Sequence, residues 1–310
     1  LNVVSHPNRF ASLLLEMEQH LSNLRVPQVN IEPFELQSKW QANMTQTEYA
    51  EKFDRVKQHL VAGDCYQVNL AQRFTASYSG NEWVAYQALR HNNKAPFSSF
   101  IRLQDGAILS LSPERFLQVK AGKVETKPIK GTRPRSADKK TADAAALDLQ
   151  NATKDRAENL MIVDLLRNDV SKVAKPGSVK VPKLFDIESY PAVHHLVSTV
   201  TAKLKADMSA VDLLRGAFPG GSITGAPKIS AMKVIHELEP HPRSVYCGAI
   251  GYILPNGDMD TNISLRTLVC NKNNIYCWAG GGLVIDSEMA SEYQETLDKV
   301  HTILPVLEAL

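Results

Sequence analysis

The chain has 310 residues, 44% hydrophobic and 22% charged, enough to bury a sizeable core and unlike a disordered sequence. Its 35 basic and 33 acidic side chains leave a net charge of +2, which indicates neither a nucleic-acid polyelectrolyte nor an acidic tail, so any bound anion must be met by local charge. No window reaches about 18 consecutive apolar residues, and residues 1–10 lack a basic stretch followed by an apolar one; neither a membrane span nor a signal peptide is expected, and the cytoplasm is the expected location.

The first residue is Leu1 rather than methionine, which points to a processed start or an internal cut. Residues 1–40 join an apolar helical stretch at 10–24 to a segment punctuated by Pro27 and Pro33, and are expected to be the remnant of an N-terminal portion or a linker. From Thr45 the signals sharpen. Thr45 and Glu48 make a capping box, Tyr49, Phe53, Val56 and Leu60 recur at helical spacing, and Gly63 ends the helix. Residues 65–77 alternate as a strand, with Tyr66, Val68 and Leu70 on one face and Gln67, Asn69 and Ala71 on the other. A helix at 82–92 follows. Residues 97–132 predict an antiparallel meander turned at Asp105-Gly106 and Ala121-Gly122. Residues 137–168 hold no Gly or Pro and predict one or two long helices, and strand character returns at 179–204. A helix at 211–216 leads into a glycine-rich loop at 219–227, with another helix starting near Pro227. Strands at 246–254 and 259–270 flank the hairpin signal Pro255-Asn256-Gly257-Asp258, a strand at 275–285 contains Gly280-Gly281-Gly282, and a helix at 287–304 closes the chain. Antiparallel groups separated by helices predict an α+β fold rather than a parallel sheet.

Several groups carry chemistry on one interpretation and none on another. The last helix lines up Glu288, Glu292, Glu295 and Lys299, either as a solvated face or as part of a metal site. The helix around 154–164 leaves little room for exposure, so Glu158 and Asp164 are candidates for the interior, where a carboxylate needs a partner. Facing each other, the two helices would offer Glu158, Glu292 and Glu295 as hard oxygen ligands suited to Mg²⁺. The loop at 219–228 runs into a helix N-terminus, a place for an anion, although it lacks the Walker A spacing. Three consecutive glycines weaken a strand, so something is expected to approach the backbone at 280–282 closely. Arg266 is either a sheet-surface residue or a fork for a carboxylate. Lys130 is either a surface lysine or a nucleophile, and Glu114 either a strand-end charge or an acid–base group. His194 and His195 point to opposite faces of a strand, so only one can line a given cavity. Cys65, Cys247, Cys270 and Cys277 form no Cys-x-x-Cys pair and are expected as buried thiols.

Seven ordered segments carry a resemblance: Asp64-Cys65-Tyr66-Gln67-Val68-Asn69, Leu111-Ser112-Pro113-Glu114-Arg115-Phe116, Pro128-Ile129-Lys130-Gly131-Thr132, Lys154-Asp155-Arg156-Ala157-Glu158-Asn159-Leu160-Met161, His195-Leu196-Val197-Ser198, Gly225-Ala226-Pro227-Lys228 and Glu292-Tyr293-Gln294-Glu295-Thr296. From about Trp40 onward the sequence resembles the chorismate-utilising enzymes. The resemblance implies two antiparallel sheets packed near-orthogonally with flanking helices, and makes residues 41–310 a chorismate-binding catalytic domain. In the family's water-using members the position of Gln67 is a lysine that activates water. An uncharged amide there fits ammonia, which is nucleophilic when neutral. Anthranilate-forming members typically carry alanine at the position of Lys130, so Lys130 points to the transferase branch that forms 4-amino-4-deoxychorismate, the folate-pathway precursor of p-aminobenzoate.

The same resemblance implies Mg²⁺ on Glu158 and Glu295, with Glu292 as a direct or water-mediated ligand. It implies a chorismate site made of Gln67, His195, Thr224, Tyr252, Arg266, Lys299 and the amides of Gly280, Gly281 and Gly282. Lys130 would attack ring C2 while Glu114 protonates the departing 4-hydroxyl; ammonia would then add at C4 and expel the lysine, without release of pyruvate. The implied partners are chorismate, ammonia and a glutamine amidotransferase subunit (component II), with no nucleic acid or membrane. The alternatives are an anthranilate synthase component I and, in a different class, a non-catalytic chorismate-binding subunit.

Overall fold

The computed structural model describes residues 10–23, 31–136, 138–190 and 193–310. The expectations that fall on residues 1–9, Leu24, Pro27, Ala137 and residues 191–192 lie outside the described residues. The chain divides into two compact units, Leu1–Glu32, which carries helix α1 (Phe10–Asn23), and Pro33–Leu310. The division falls ahead of the boundary expected after residue 40, because strand β1 (Glu35–Leu36) pairs with the strand at 67–79 and Phe34 is buried against Tyr78.

In the larger unit, β2 (Gln41–Ala42) precedes α2 (Gln46–Ala62), whose capping box at Thr45 and Glu48 and left-handed Gly63 cap match expectation. Tyr49, Phe53, Val56 and Leu60 form its buried stripe. Then come β3 (Gln67–Ser79), α3 (Glu82–Asn93), β4 (Phe97–Leu103), β5 (Gly106–Ser112), β6 (Arg115–Lys120), β7 (Lys123–Thr126) and β8 (Ile129–Pro134). Helices α4 (Lys139–Asn151) and α5 (Thr153–Ser171) precede β9 (Lys180–Ser189), β10 (Val193–Lys203), α6 (Ala210–Ala217), β11 (Gly225–Ala226) and α7 (Lys228–Leu238). The chain finishes with β12 (Gly251–Ile253), β13 (Met259–Asn262), β14 (Thr267–Asn271), β15 (Asn274–Leu283), α8 (Met289–Val300) and α9 (Leu304–Glu308).

The described strands make two antiparallel sheets, as an α+β fold requires. The 8-stranded sheet runs β1-β3-β15-β14-β5-β4, with β2 and β11 also on β3; the 7-stranded sheet runs β12-β13-β6-β7-β10-β8, with β9 also on β10. Ala71 and Trp278 of the first sheet share a buried cluster with Phe116, Leu117 and Val124 of the second, and this is the core between them. A second cluster packs α3 and α9 on the first sheet, and a third packs α2 and α7 there.

Three local expectations are corrected by long-range pairing. The meander is shared between sheets: β4 and β5 belong to one, β6 to β8 to the other, and β10 lies between β7 and β8. The strand expected at 259–270 breaks at 263–266, where the chain crosses from one sheet to the other. The strand expected at 246–254 shrinks to Gly251–Ile253, because Tyr246 and Cys247 turn into the inter-sheet core instead. The crossovers between β5 and β6 and between β13 and β14 run side by side: Ile263 N–H donates to Glu114 O at 3.1 Å, and Leu111 N–H to Arg266 O at 3.0 Å. Glu114 and Arg266 thereby stand on adjacent crossovers between the two sheets.

Candidate active site

A cavity of about 810 Å³ opens at this junction. Glu114, Lys130, Glu158, His195, Arg266, Gly280, Gly282, Glu292, Glu295 and Lys299 all line it, so residues spread from 114 to 299 converge on one space. Lys130 comes from β8, Glu158 from α5, and Glu292 and Glu295 from α8, which packs across β15.

Lys130 Nζ lies 3.7 Å from Glu158 Oε2, both side chains largely buried. Gly280 and Gly282 of β15 also line the cavity. A Cβ at Gly282 would lie 2.6 Å from Gln67 Nε2 and 3.4 Å from Lys130 Nζ, and one at Gly281 would lie 3.1 Å from Glu292 Oε2. The close approach expected at this glycine run is therefore made by the site's own side chains. Gln67 is fully buried, and both atoms of its amide lack a hydrogen-bond partner. A buried amide in that state is costly unless a ligand completes it.

Burial pushes the Glu114 carboxyl up to about 7 against the pull of Lys130, the Ser222 hydroxyl, the Ile129 amide and Lys299. That value suits proton donation near neutral pH. Burial likewise raises Glu158, opposed by Lys130 and Lys154 and assisted by the charges of Glu292 and Asp155. Glu295 behaves oppositely: burial would raise it, but Lys299, Lys130 and Lys154 hold it below the usual range. Glu292 is buried, accepts from Ser287 Oγ at 2.6 Å and lies 3.7 Å from Lys154 Nζ. Lys299 Nζ donates to Gly280 O at 2.7 Å while pairing with Glu295.

Arg266 has a left-handed φ of 47°, and burial alone lowers its pKa, with no acid contributing. A buried guanidinium that lines the cavity and draws no contribution from a protein acid fits an anionic ligand. Burial and Arg266 also lower His195, opposed by Glu188, which favours a neutral ring; its Nδ1 lies 2.9 Å from Thr132 Oγ1. His194, on the other face of β10, is buried beside Ser189 at 2.8 Å. All four cysteines are buried and free.

Of the expected site residues, Gln67 and Gly281 are not among those lining the cavity, and Thr224, Tyr252 and Asp164 are not brought to it. The Thr224 hydroxyl donates to Gly220 O at 2.9 Å, and the residue lines a neighbouring cavity of about 500 Å³. Tyr252 sits on the edge strand β12 with 58% of its surface exposed. Asp164 is also exposed and pairs with Arg167 one turn away. Nor does the start of α7 line the cavity: Lys228 is held by Asp169 at 2.6 Å and by Ala217 O. Conversely, Asn69, Lys154 and Ser222 line the cavity although the sequence did not single them out. The i, i+4 spacing of Lys154 and Glu158 was available as a signal; nothing local marks Ser222 or Asn69.

The donor chemistry fits Mg²⁺. Glu158, Glu292 and Glu295 put hard oxygens on one cavity, and the charge of Glu292 is among the causes that raise Glu158, as expected of acids sharing a space. Among the described residues no group of three or more His, Cys, Asp or Glu is arranged to hold a metal unaided. That is compatible with an ion that takes one or two carboxylates and completes its shell with water and an anionic substrate.

Comparison with known proteins identifies the family. Residues 3–305 match the family described as chorismate binding enzyme. Over 276 residues the chain is 60% identical to aminodeoxychorismate synthase component 1 of Klebsiella aerogenes, covering 89% of this chain and 61% of that protein. Over 309 residues it is 54% identical to the protein of that name from Escherichia coli, covering 99% and 68%. The structure of anthranilate synthase component I from Streptococcus pneumoniae superposes with a TM-score of 0.84 at 33% identity, over 97% of this chain and 67% of that one. The chain thus spans roughly three fifths to two thirds of the length of these relatives.

Proposed function

This chain belongs to the chorismate-binding enzymes, and from that premise we propose that it aminates chorismate with ammonia to 4-amino-4-deoxychorismate. The observation that carries the choice is Lys130: its Nζ faces Gln67 across Gly282, beside Glu158, in the cavity that also holds a Glu114 carboxyl poised near neutrality. The relatives at 54–60% identity carry the corresponding name, whereas the proteins from Aquifex aeolicus, Pseudomonas aeruginosa and Pseudomonas putida named anthranilate synthase component 1 are 38–40% identical.

Arg266 and Lys299 neutralise the substrate carboxylates, with the Gly280 and Gly282 backbone close against the ring. Mg²⁺, when bound, supplies positive charge to a carboxylate, and Glu158 and Glu295 would hold it, with Glu292 adjacent. Lys130 attacks ring C2 through its Nζ lone pair as the double bonds shift, and the C4–O bond breaks while Glu114 delivers its proton, releasing water. Ammonia then forms the C4–N bond and the C2–N bond to Lys130 breaks, returning the lysine. The Gln67 amide, whose two polar atoms have no hydrogen-bond partner in the protein and whose Nε2 lies near Lys130 across Gly282, orients the incoming ammonia. In the relatives a first component implies a second, and a glutamine amidotransferase subunit is the partner we assign as the ammonia source.

Incubation with chorismate, a magnesium salt and an ammonium salt, followed by product analysis, tests the proposal. Aminodeoxychorismate is the expected product; anthranilate with an equivalent of pyruvate would overturn the assignment.

A further inference from the structure

Outside the groups that touch the reacting atoms, one buried ion pair also bonds to backbone of β3 and of the turn that lines the cavity. Glu239, just past the end of α7, and Arg243 form a two-pronged pair, Nε to Oε2 at 2.9 Å and Nη2 to Oε1 at 2.6 Å, with side chains only 5% and 13% exposed. Arg243 Nη1 donates to Ile223 O at 2.7 Å and Nη2 to Asn69 O at 2.8 Å, while Glu239 Oε1 accepts from Ala71 N at 2.9 Å. Asn69 N–H in turn donates to Thr224 O at 2.8 Å. The pair therefore rivets the turn at Gly221–Ile223 onto β3. From the other side α5 presses on the same turn, since a Cβ at Gly221 would collide with the Leu165 side chain. Between these clamps sits Ser222, whose buried hydroxyl donates to Glu114 Oε1 at 3.4 Å. A bond this long is lost with a few tenths of an ångström of drift.

We propose that Glu239 and Arg243 are positioning residues for the acid step: by fixing the turn at Gly221–Ile223 they hold the Ser222 hydroxyl on Glu114. This rests on the assignment of Glu114 as the acid. Once Glu114 has given up its proton it is a carboxylate, and donation from Ser222 becomes charge-assisted. Ser222 therefore stabilises the transition state more than the bound substrate, and its loss lowers kcat rather than raising KM. An ion pair that served only the fold would have no reason to act selectively on kcat or to depend on Ser222.

The test is a cycle in the ammonium-dependent assay with chorismate varied. Ser222→Ala is expected to lower kcat roughly tenfold with KM unchanged. Arg243→Lys, which keeps the charge and loses the fork, and Glu239→Gln, which keeps the shape, are each expected to lower kcat similarly. Each combined with Ser222→Ala should fall no further than the worse single variant. Additive losses, or losses carried by KM, would overturn the inference. If Arg243→Lys fails to fold, as thermal unfolding would reveal, the cycle of Glu239→Gln with Ser222→Ala decides alone. Glu114→Gln separates the two levels: a near-normal kcat there removes the acid assignment itself, whereas an inactive Glu114→Gln beside normal Ser222→Ala and Glu239→Gln variants refutes only the positioning role.

Discussion

In the proposed reaction Lys130 and Glu114 divide the chemistry between a nucleophile and an acid, and each makes a distinct prediction. Lys130→Ala is expected to lose most aminodeoxychorismate formation, by about 100-fold or more if the covalent route dominates. Intact-mass measurement with chorismate and no ammonia should find an adduct on the parent chain and none on the variant; an unmodified parent with a fully active variant would exclude the route. Glu114 has its pKa pushed up to about 7, so its proton is present below that pH and lost above it. At constant free ammonia, kcat/KM should therefore fall about tenfold per pH unit above roughly pH 7. Stability follows the same sign. A raised folded-state pKa gives a contribution fully present below the ordinary value of 4.5 and lost as pH rises through about 7. Glu114→Gln should accordingly gain stability relative to the parent at pH 8 and not at pH 4, as read by thermal unfolding. The acid role of Glu114 was only one of two options on sequence grounds, because its burial comes from a crossover between sheets that no neighbouring residue announces.

At the scale of elements, the strand β15 and the helices α5 and α8 build the site jointly. β15 is glycine-rich where α8 and β8 send in their side chains, so Gly282→Ala would drive a Cβ to 2.6 Å from Gln67 Nε2. Overpacking of this kind costs about 1–3 kcal/mol, and turnover should fall by more than the loss of folded protein explains. The carboxylates of α5 and α8 predict that chelation abolishes turnover and that Glu158→Gln greatly raises the Mg²⁺ concentration needed; full activity after exhaustive chelation would remove the metal. By contrast, the capping box of α2 is remote in sequence from every cavity-lining residue except Asn69, and Thr45→Ala should cost about 1 kcal/mol of stability with little effect on kcat. That helix was legible residue by residue, since its start, stripe and stop all lie within twenty positions of one another. The break at 263–266 was not, since the two halves are separated by their choice of sheet, which is made by strands far along the chain.

Over the whole molecule, charge and nitrogen supply are the deciding quantities. With a net charge of +2, attraction of a dianion depends on the local set of Arg266, Lys130, Lys154 and Lys299 rather than on a global field. The four thiols are buried, with burial pushing Cys247 up to about 11 and Cys277 up to about 12, so none of them is a thiolate nucleophile at neutral pH. A separate glutaminase is the nitrogen source proposed above. The chain alone should turn over with ammonium salts and not with glutamine, and the added amidotransferase subunit should restore glutamine-dependent product. Glutamine-dependent turnover by the isolated chain would refute that division of labour. Among the described residues no helix is long and apolar enough to cross a membrane, in keeping with the sequence.

Neighbours along the chain were enough to set the capped helix at Thr45, the glycine turns, the alternation of β3, the opposite faces of His194 and His195, and the ordered motifs that resemble the family. They also put Lys130, Glu114, Glu158, Glu292 and Glu295 among the candidates, although the helical periodicity of Glu292 and Glu295 fitted a solvated face equally well. Long-range packing alone decided which sheet each strand joins, that Glu292 is buried, that Thr224 and Tyr252 turn away, and that Gln67 and Lys130 meet over Gly282. The physical reason is that burial and charge coupling are set by residues far apart in sequence: the neighbours that fix Glu114 are Lys130, Ser222 and Lys299, and no local pattern of apolar and polar residues encodes their meeting.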